Sequence, residues 1–323
     1  MKVLTVGTGR ITEKMIEALR ECNIEVFGCL GRDSERCRSF AERNGLRRYA
    51  TDYGRALSTD LFDTVYLGIP NSLHHSYTLK ALEKGKNVIV EKPFACNMKE
   101  AKEMIDKANN AELFIFDANT AVHSFAYRDL KKDLRKLGRI RTVSIDFYKY
   151  SSCYDAFLRG ERPPVFDPTF AGGALMDLGV YNVEFAVGLF GLPESCHYFP
   201  NMQEGIDTRG VAILKYGDFI VSMLNGKDAD RSSSVKILGE KGCIVSAKDP
   251  SDFDSYRVIL NDGTTYEKKY EGINRLSYEL QDFKSLFDYR NYKKNNDYLT
   301  LTLMSMKVLD ELRSSCGLRF KND

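Results

Sequence analysis

Apolar residues in the first third of the chain follow two alternating rhythms. Short runs rich in β-branched residues, at 2–6, 24–30, 63–69, 87–91 and 113–116, have the make-up of strands buried on both faces. Between them, apolar positions recur three and four residues apart. Met15, Ile16, Leu19 and Cys22 line one face of a helix predicted over 12–22; Ala101, Met104, Ile105 and Ala108 do the same after Asn97. The punctuation agrees. Asp33 can cap a helix that Gly45 ends, Gly85 ends a helix over 72–84, and Asn97 with Glu100 suggests a cap with a reciprocal contact. Alternation of this kind predicts an α/β fold with a doubly wound parallel sheet and right-handed crossovers.

The rhythm changes after residue 116. A helix is predicted over 125–137, stopped by Gly138. Strand-like runs then crowd together at 142–148, 211–216, 219–224, 235–238, 243–246, 256–260 and 264–268, with hairpin signals at Gly217-Asp218 and Asp262-Gly263. Residues 174–189 can be helical, and two helices close the chain at 275–289 and 296–315. This half reads as α+β, a mainly antiparallel sheet covered on one face. The other face needs cover, so a homodimer or homotetramer through this C-terminal sheet is expected.

Composition narrows the picture. The chain has 323 residues, enough for two domains, with 43% hydrophobic and 28% charged residues. A net charge of +2 without a basic stripe argues against a nucleic-acid partner. No apolar run approaches the roughly 20 residues of a membrane span, and residues 1–7 read as a strand of the fold, not a signal peptide. Eight scattered cysteines without a Cys-x-x-Cys pair, and four histidines, point to reduced thiols, a cytoplasmic protein and no metal centre.

Three stretches carry candidate chemistry. The first is Gly7-Thr8-Gly9-Arg10-Ile11-Thr12, directly between the first strand and the first helix. Gly7 permits a tight turn, Gly9 lets a pyrophosphate approach the backbone, and the helix start offers free N–H groups to an anion. Thr12 replaces the usual small third residue; its hydroxyl either separates helix and strand or bonds the phosphate. The next strand ends in Gly31-Arg32, where a guanidinium suits a ribose 2′-phosphate, so NADP is favoured; Asp33 as a ribose acid would make it NAD. Pro70 and Asn71 end a strand at the ligand edge, with backbone expected beside the cofactor. His74 is expected to face the cofactor, with a plain helix-start role as the other reading. His75, with Leu79 and Leu82, is expected in the core.

The second stretch is Glu91-Lys92-Pro93, at the carboxyl end of the strand over 87–91. Pro93 must stop that strand, and this edge of an open sheet is where ligands bind. Glu91 is expected to orient Lys92 or the nicotinamide ribose, and a cis Lys92–Pro93 bond would aim the lysine. The third stretch runs from Ala171 to Tyr181. Its paired glycines allow close approach, and Asp177 and Tyr181 stand four apart on one helical face; a structural acid and a core tyrosine remain the other reading. Asp155 and Arg159 could reach a polar substrate or belong to a surface loop.

Together these stretches resemble the Gfo/Idh/MocA oxidoreductases. The carriers are the Gly7-Thr8-Gly9 turn, the run from Val65 to His74 (VYLGIPNSLH), the run from Ala81 to Val88 (ALEKGKNV), Glu91-Lys92-Pro93, and the run from Gly172 to Tyr181 (GGALMDLGVY). The resemblance covers nearly the whole chain. It implies a dinucleotide-binding Rossmann domain, residues 1–119, then an open-faced domain for substrate and oligomerisation, residues 120–323. It also implies hydride transfer between a nicotinamide and a carbon–oxygen centre of a small sugar, polyol or diol. Lys92 matches the family's catalytic lysine and Asp177 its second-motif acid. Tyr181 stands where inositol dehydrogenases have histidine; the tyrosine looks like the glucose–fructose oxidoreductase and dihydrodiol dehydrogenase branch. Tyrosine and lysine both titrate near pH 10 in isolation; a neighbouring ammonium would lower the tyrosine and desolvation would lower the lysine, drawing the pair towards neutrality, where acid–base catalysis works best. Lys92 and Tyr181 are thus the expected acid–base pair. The competing expectation is a non-catalytic dinucleotide-binding regulator of the same fold.

Overall fold

The first elements along the chain are β1 (Lys2–Val6), α1 (Arg10–Glu21), β2 (Glu25–Leu30), α2 (Ser34–Arg43), β3 (Tyr49–Ala50), α3 (Tyr53–Leu57), β4 (Thr64–Leu67), α4 (His74–Glu83), β5 (Asn87–Glu91), α5 (Met98–Asn110) and β6 (Ile115–Ala118). They are seen in a computed structural model that describes residues 1–230, 233–270, 272–321 and 323. The strands pair in parallel in the order β3-β2-β1-β4-β5-β6. Strand order therefore reverses between β1 and β4, the switch point at which such sheets take ligands. Val88, Ile89 and Val90 are fully buried, as their unbroken apolar run requires. Asp33 accepts the Arg36 amide at 2.7 Å and Asn97 the Glu100 amide at 2.9 Å, the two caps expected. The Glu100 carboxylate bonds back to the Cys96 amide (3.1 Å). The last strand of this sheet starts two residues later than the run at 113–116, because the Asn87 side chain takes the Phe114 amide at 2.8 Å.

The later elements are α6 (Phe125–Asp133), β7 (Ile140–Tyr148), α7 (Tyr154–Leu158), a π-helical turn over Leu175–Gly179 that runs into α8 (Val180–Phe190), β8 (Ser195–Gln203), β9 (Ile206–Tyr216), β10 (Phe219–Gly226), β11 (Ser234–Gly239), β12 (Gly242–Ser246), β13 (Ser255–Leu260), β14 (Thr265–Lys269), α9 (Arg275–Asp288) and α10 (Tyr292–Ser315). The strands form one sheet in the order β14-β13-β12-β11-β7-β10-β9-β8. All its pairs are antiparallel except β7 with β10, which are joined by the long crossover that contains the π turn and α8. The expectation missed β8. Its SCHYFPNMQ lacks clean alternation and holds Pro200, which an edge strand tolerates. The register puts Phe199, Ile220, Leu238 and Ile259 on one outward face with Lys215, Lys236 and Arg257. Val143, Ile145, Val221, Met223, Val235 and Ile237 fill the inner face.

Contacts divide the chain into two units, Met1–Ala118 with Leu276–Thr300, and Asn119–Arg275 with Leu301–Asp323. Residues 276–300 thus depart from the simple division at 119/120. The reason is an apolar stripe: Leu276, Leu280, Phe283 and Leu286 share a core with Val3, Met15, Leu19 and Phe116, and the Phe116 and Phe283 rings stack 4.6 Å apart. Among the described residues, Pro168–Phe190 is long and apolar enough to cross a membrane, which the sequence reading passed over; 78% of its apolar window is buried inside the fold. All eight cysteines are free.

Candidate active site

Gly7 ends β1 with φ +114°, and its amide bonds the Leu30 carbonyl at 2.8 Å. A Cβ there would lie 2.1 Å from the Gly68 carbonyl oxygen, so two strand ends meet only because the residue is glycine. Gly68 in turn makes room for Thr12, whose hydroxyl would be 2.5 Å from a Cβ on Gly68. Thr12 is fully buried, and its hydroxyl has no hydrogen-bond partner among the described residues. A Cβ on Gly9 would meet nothing within 4 Å. Gly9 is the N-cap of α1 and brings no side-chain cap, so the amides of the first turn, from Arg10 and Ile11 onward, face that open space. A free approach at Gly9, amides at a helix start and a partnerless hydroxyl suit the pyrophosphate of a dinucleotide. Arg32 is exposed just past β2, and the neighbouring Asp33 carboxylate is engaged as the α2 cap.

At the ends of β4 and β5 the side chains lock together. The Tyr66 hydroxyl donates to Glu91 Oε1 at 2.7 Å, and Glu91 is only 6% exposed. This holds the Glu91 carboxyl in place beside Lys92, which is half-buried and joined to Pro93 by the expected cis bond. His74 corrects the expectation. It is fully buried, with its ring nitrogens 2.9 Å from the carbonyl oxygens of Pro93 and Ile69, so it braces the loops after β4 and β5 and has no atom left for the cofactor. Burial drives its pKa down, against the pull of those two carbonyls. His75 is corrected as well: it is half-exposed and meets Glu103 at 3.0 Å. The two histidines exchange roles because a 3-10 turn over Asn71–Leu73 delays α4 and rotates its faces. Pro70 and Asn71 lead into that turn.

In the second unit, the π turn carries Asp177 and is followed by Tyr181 in the first turn of α8. One residue is squeezed in relative to an α-helix, a device frequent at functional positions. Tyr181 is 6% exposed, its ring 5.8 Å from that of Phe147 on β7. Asp177 is half-exposed, and its Oδ2 accepts from Lys227 Nζ at 2.5 Å. The start of the turn is held by Asp207, fully buried, whose Oδ2 accepts from the Leu175 amide and the Tyr198 hydroxyl, each at 2.8 Å. Gly173, at φ +106°, must be glycine: a Cβ would sit 1.9 Å from Asp207 Oδ1. Burial pushes the Asp207 carboxyl up to about 6, opposed by those two donors and by the Lys227 charge. Asp155 accepts from the Tyr150 hydroxyl (2.6 Å) and Arg159 pairs with Glu161 (3.0 Å), both at the surface.

Residues 1–117 match the family described as "Oxidoreductase family, NAD-binding Rossmann fold", and residues 128–245 match "GFO/IDH/MocA C-terminal domain". An Escherichia coli (strain K12) protein named "uncharacterized oxidoreductase YgjR" is 30% identical over 326 residues, 100% of this chain and 98% of its own. The chain belongs to the Gfo/Idh/MocA oxidoreductase family. Scyllo-inositol 2-dehydrogenase (NADP(+)) IolU of Bacillus subtilis (strain 168) is 29% identical over 328 residues, 98% of each chain. The solved structure of KijD10, a 3-ketoreductase from Actinomadura kijaniata in complex with TDP-benzene and NADP, shares the fold. Its TM-score is 0.80 at 19% identity, covering 98% of this chain and 97% of that one. As a Gfo/Idh/MocA protein the chain is an NAD(P)-dependent dehydrogenase, which decides for the enzyme over the regulator. Pattern reading missed Lys227 and Asp207; the one available signal was a lysine just past an apolar strand, at Asn225-Gly226-Lys227-Asp228.

Proposed function

We propose that this dehydrogenase acts on a small cyclitol, sugar or related diol, prefers NADP(H), and uses Lys92 and Tyr181 as its acid–base pair. The observation that carries the reading is the side-chain set itself. Lys92 follows β5 beside a buried, hydrogen-bonded carboxylate, and Asp177 and Tyr181 stand on a π turn and the helix it opens. The Bacillus subtilis relative, named for scyllo-inositol and NADP(+), supports the polyol class and the cofactor. Exposed Arg32, with Asp33 spent on a helix cap, supports the 2′-phosphate.

The bound nicotinamide supplies or accepts the hydride. In the oxidative direction the substrate carbon loses that hydride while its hydroxyl proton passes to Tyr181; in reduction Tyr181 returns the proton to the carbonyl oxygen. Lys92, the other member of the pair, anchors the same oxygen. Asp177 is a fixed carboxylate in the same machinery. Gly7, Thr8, Gly9, Arg10 and Ile11 hold the pyrophosphate, Arg32 the 2′-phosphate, and Pro70, Asn71 and Glu91 flank the nicotinamide half. Turnover of a panel of cyclitols, aldoses and diols with NADP⁺ tests this. Lys92→Met and Tyr181→Phe should each lower kcat by roughly 10²–10⁴-fold; full activity in either removes that residue from the pair.

We also infer that a second copy covers the outward sheet face, where Phe199 is 63% and Ile220 46% exposed. Sedimentation should give a dimer or tetramer that Ile220→Glu weakens; a monomer at micromolar concentration defeats this. Eight free thiols favour the cytoplasm as its compartment.

A further inference from the structure

Lys227 follows the end of β10, one residue past a row in which Tyr148, Gly226 and Arg209 register across β7, β10 and β9. This edge holds the carboxyl ends of the sheet's parallel pair. The Lys227 side chain is 1% exposed. Its Nζ donates to Asp177 Oδ2 (2.5 Å) and the Val165 carbonyl (3.2 Å), and sits 4.6 Å from the centre of the Phe166 ring. Its backbone is clamped on both sides: the amide donates to the Thr208 carbonyl and the carbonyl accepts from the Ser151 amide, each at 2.8 Å. A surface ion pair held by two flexible chains is weak and adaptable. Here the cation is rigid and dry, while the anion keeps 28% of its side chain exposed. An ammonium cannot stay charged in such a place without a carboxylate.

We propose that Lys227 is a positioning residue of this dehydrogenase, its buried ammonium keeping the Asp177 carboxylate ionised and aimed from the π turn that opens the Tyr181 helix. The inference rests on the proposed roles of Asp177 and Tyr181. The π turn is pinned at both ends of its first residues. Asp207 holds the Leu175 amide, and the Asp177 amide bonds the Gly173 carbonyl at 3.0 Å. Lys227 restrains the Asp177 side chain from the sheet.

The charged and titratable groups around it come from several elements. They are Asp177 on the π turn, Asp207 on β9, Tyr198 on β8, and Asp228, which binds Arg209 and the Thr208 hydroxyl. Tyr148 and Tyr154 lie on the Asp228 side. Asp228 is already neutralised by Arg209, so removal of the Lys227 charge falls on Asp177 and Asp207.

The test compares Lys227→Met, Asp177→Asn and the double variant in the full-length enzyme, with NADP⁺ and scyllo-inositol or the best polyol of the panel above. Lys227→Met should lower kcat about 10- to 100-fold with the KM for NADP⁺ unchanged, and should move the acid limb of kcat/KM to higher pH. The double variant removes the buried ammonium together with the carboxylate it holds, so it should fold at least as well as Lys227→Met and be no slower than Asp177→Asn alone. Wild-type kinetics and an unmoved acid limb in Lys227→Met, or a further tenfold loss in the double variant, overturn the positioning role. Full activity in Asp177→Asn instead overturns the reading of Asp177 on which it rests. So does a wild-type enzyme that turns over no polyol.

Discussion

Asp207 makes the stability of this protein depend on pH in an unusual direction. The carboxyl is fully buried, accepts two hydrogen bonds on Oδ2, and leaves Oδ1 without a partner among the described residues. Its folded pKa of about 6 stands above the ordinary aspartate value of 3.8. The folded protein therefore binds this proton more tightly than the unfolded chain. The stability this group contributes is fully present below about pH 4 and is lost as pH rises through about 6. A rise of about 2 pH units at ~1.4 kcal/mol each gives a loss of ~3 kcal/mol over that window. Asp207→Asn removes the titration; its carbonyl can still accept from Leu175 and Tyr198, and its NH2 takes the place of Oδ1. The measurement is thermal unfolding of wild type and variant between pH 4 and pH 7. Titrations common to both cancel in the difference. The variant should gain on the wild type by ~3 kcal/mol across the range, or ~6–12 °C in midpoint for a domain of this size. A difference that stays flat, or one that favours the wild type as pH rises, refutes the reasoning.

Three other outcomes follow from the first unit. Gly7→Ala puts a methyl 2.1 Å from the Gly68 carbonyl oxygen at φ +114°, and should cost about 2–5 kcal/mol in urea unfolding and abolish dinucleotide binding; an unchanged midpoint contradicts it. Arg32→Ala should weaken NADPH binding by about 10- to 100-fold and leave NADH binding alone, as read by calorimetry; equal losses for the two cofactors would remove Arg32 from the 2′-phosphate site. Tyr66→Phe takes the hydroxyl away from a Glu91 that is 6% exposed, so denaturant unfolding should show a loss of about 1–3 kcal/mol, and wild-type stability would mean that Glu91 does not need that donor.

What the sequence determined by itself was local chemistry repeated at short range. The all-buried Val88–Val90 strand, the Met15/Ile16/Leu19 stripe and the caps at Asp33 and Asn97 depend on neighbours within a turn or a pleat, and they stand where their spacing put them. The glycine turn was legible for the same reason, since the strand before it and the helix after it are its immediate neighbours. Tertiary structure decided whatever depended on partners far along the chain. His74 and His75 traded places because a short 3-10 turn shifted the phase of α4, which the packing of strand ends sets and periodicity does not record. Residues 276–300 joined the first unit through aromatic contacts with Phe116. β8 formed because β9 supplied the hydrogen bonds that its own sequence did not advertise. Lys227 is the sharpest instance. Fifty residues separate it from Asp177, and its place just past an apolar strand does not by itself say which carboxylate it meets. Only the pairing of β10 with β7 and β9, and the docking of the π turn on them, brings its ammonium to a carboxylate and shields that ammonium from water.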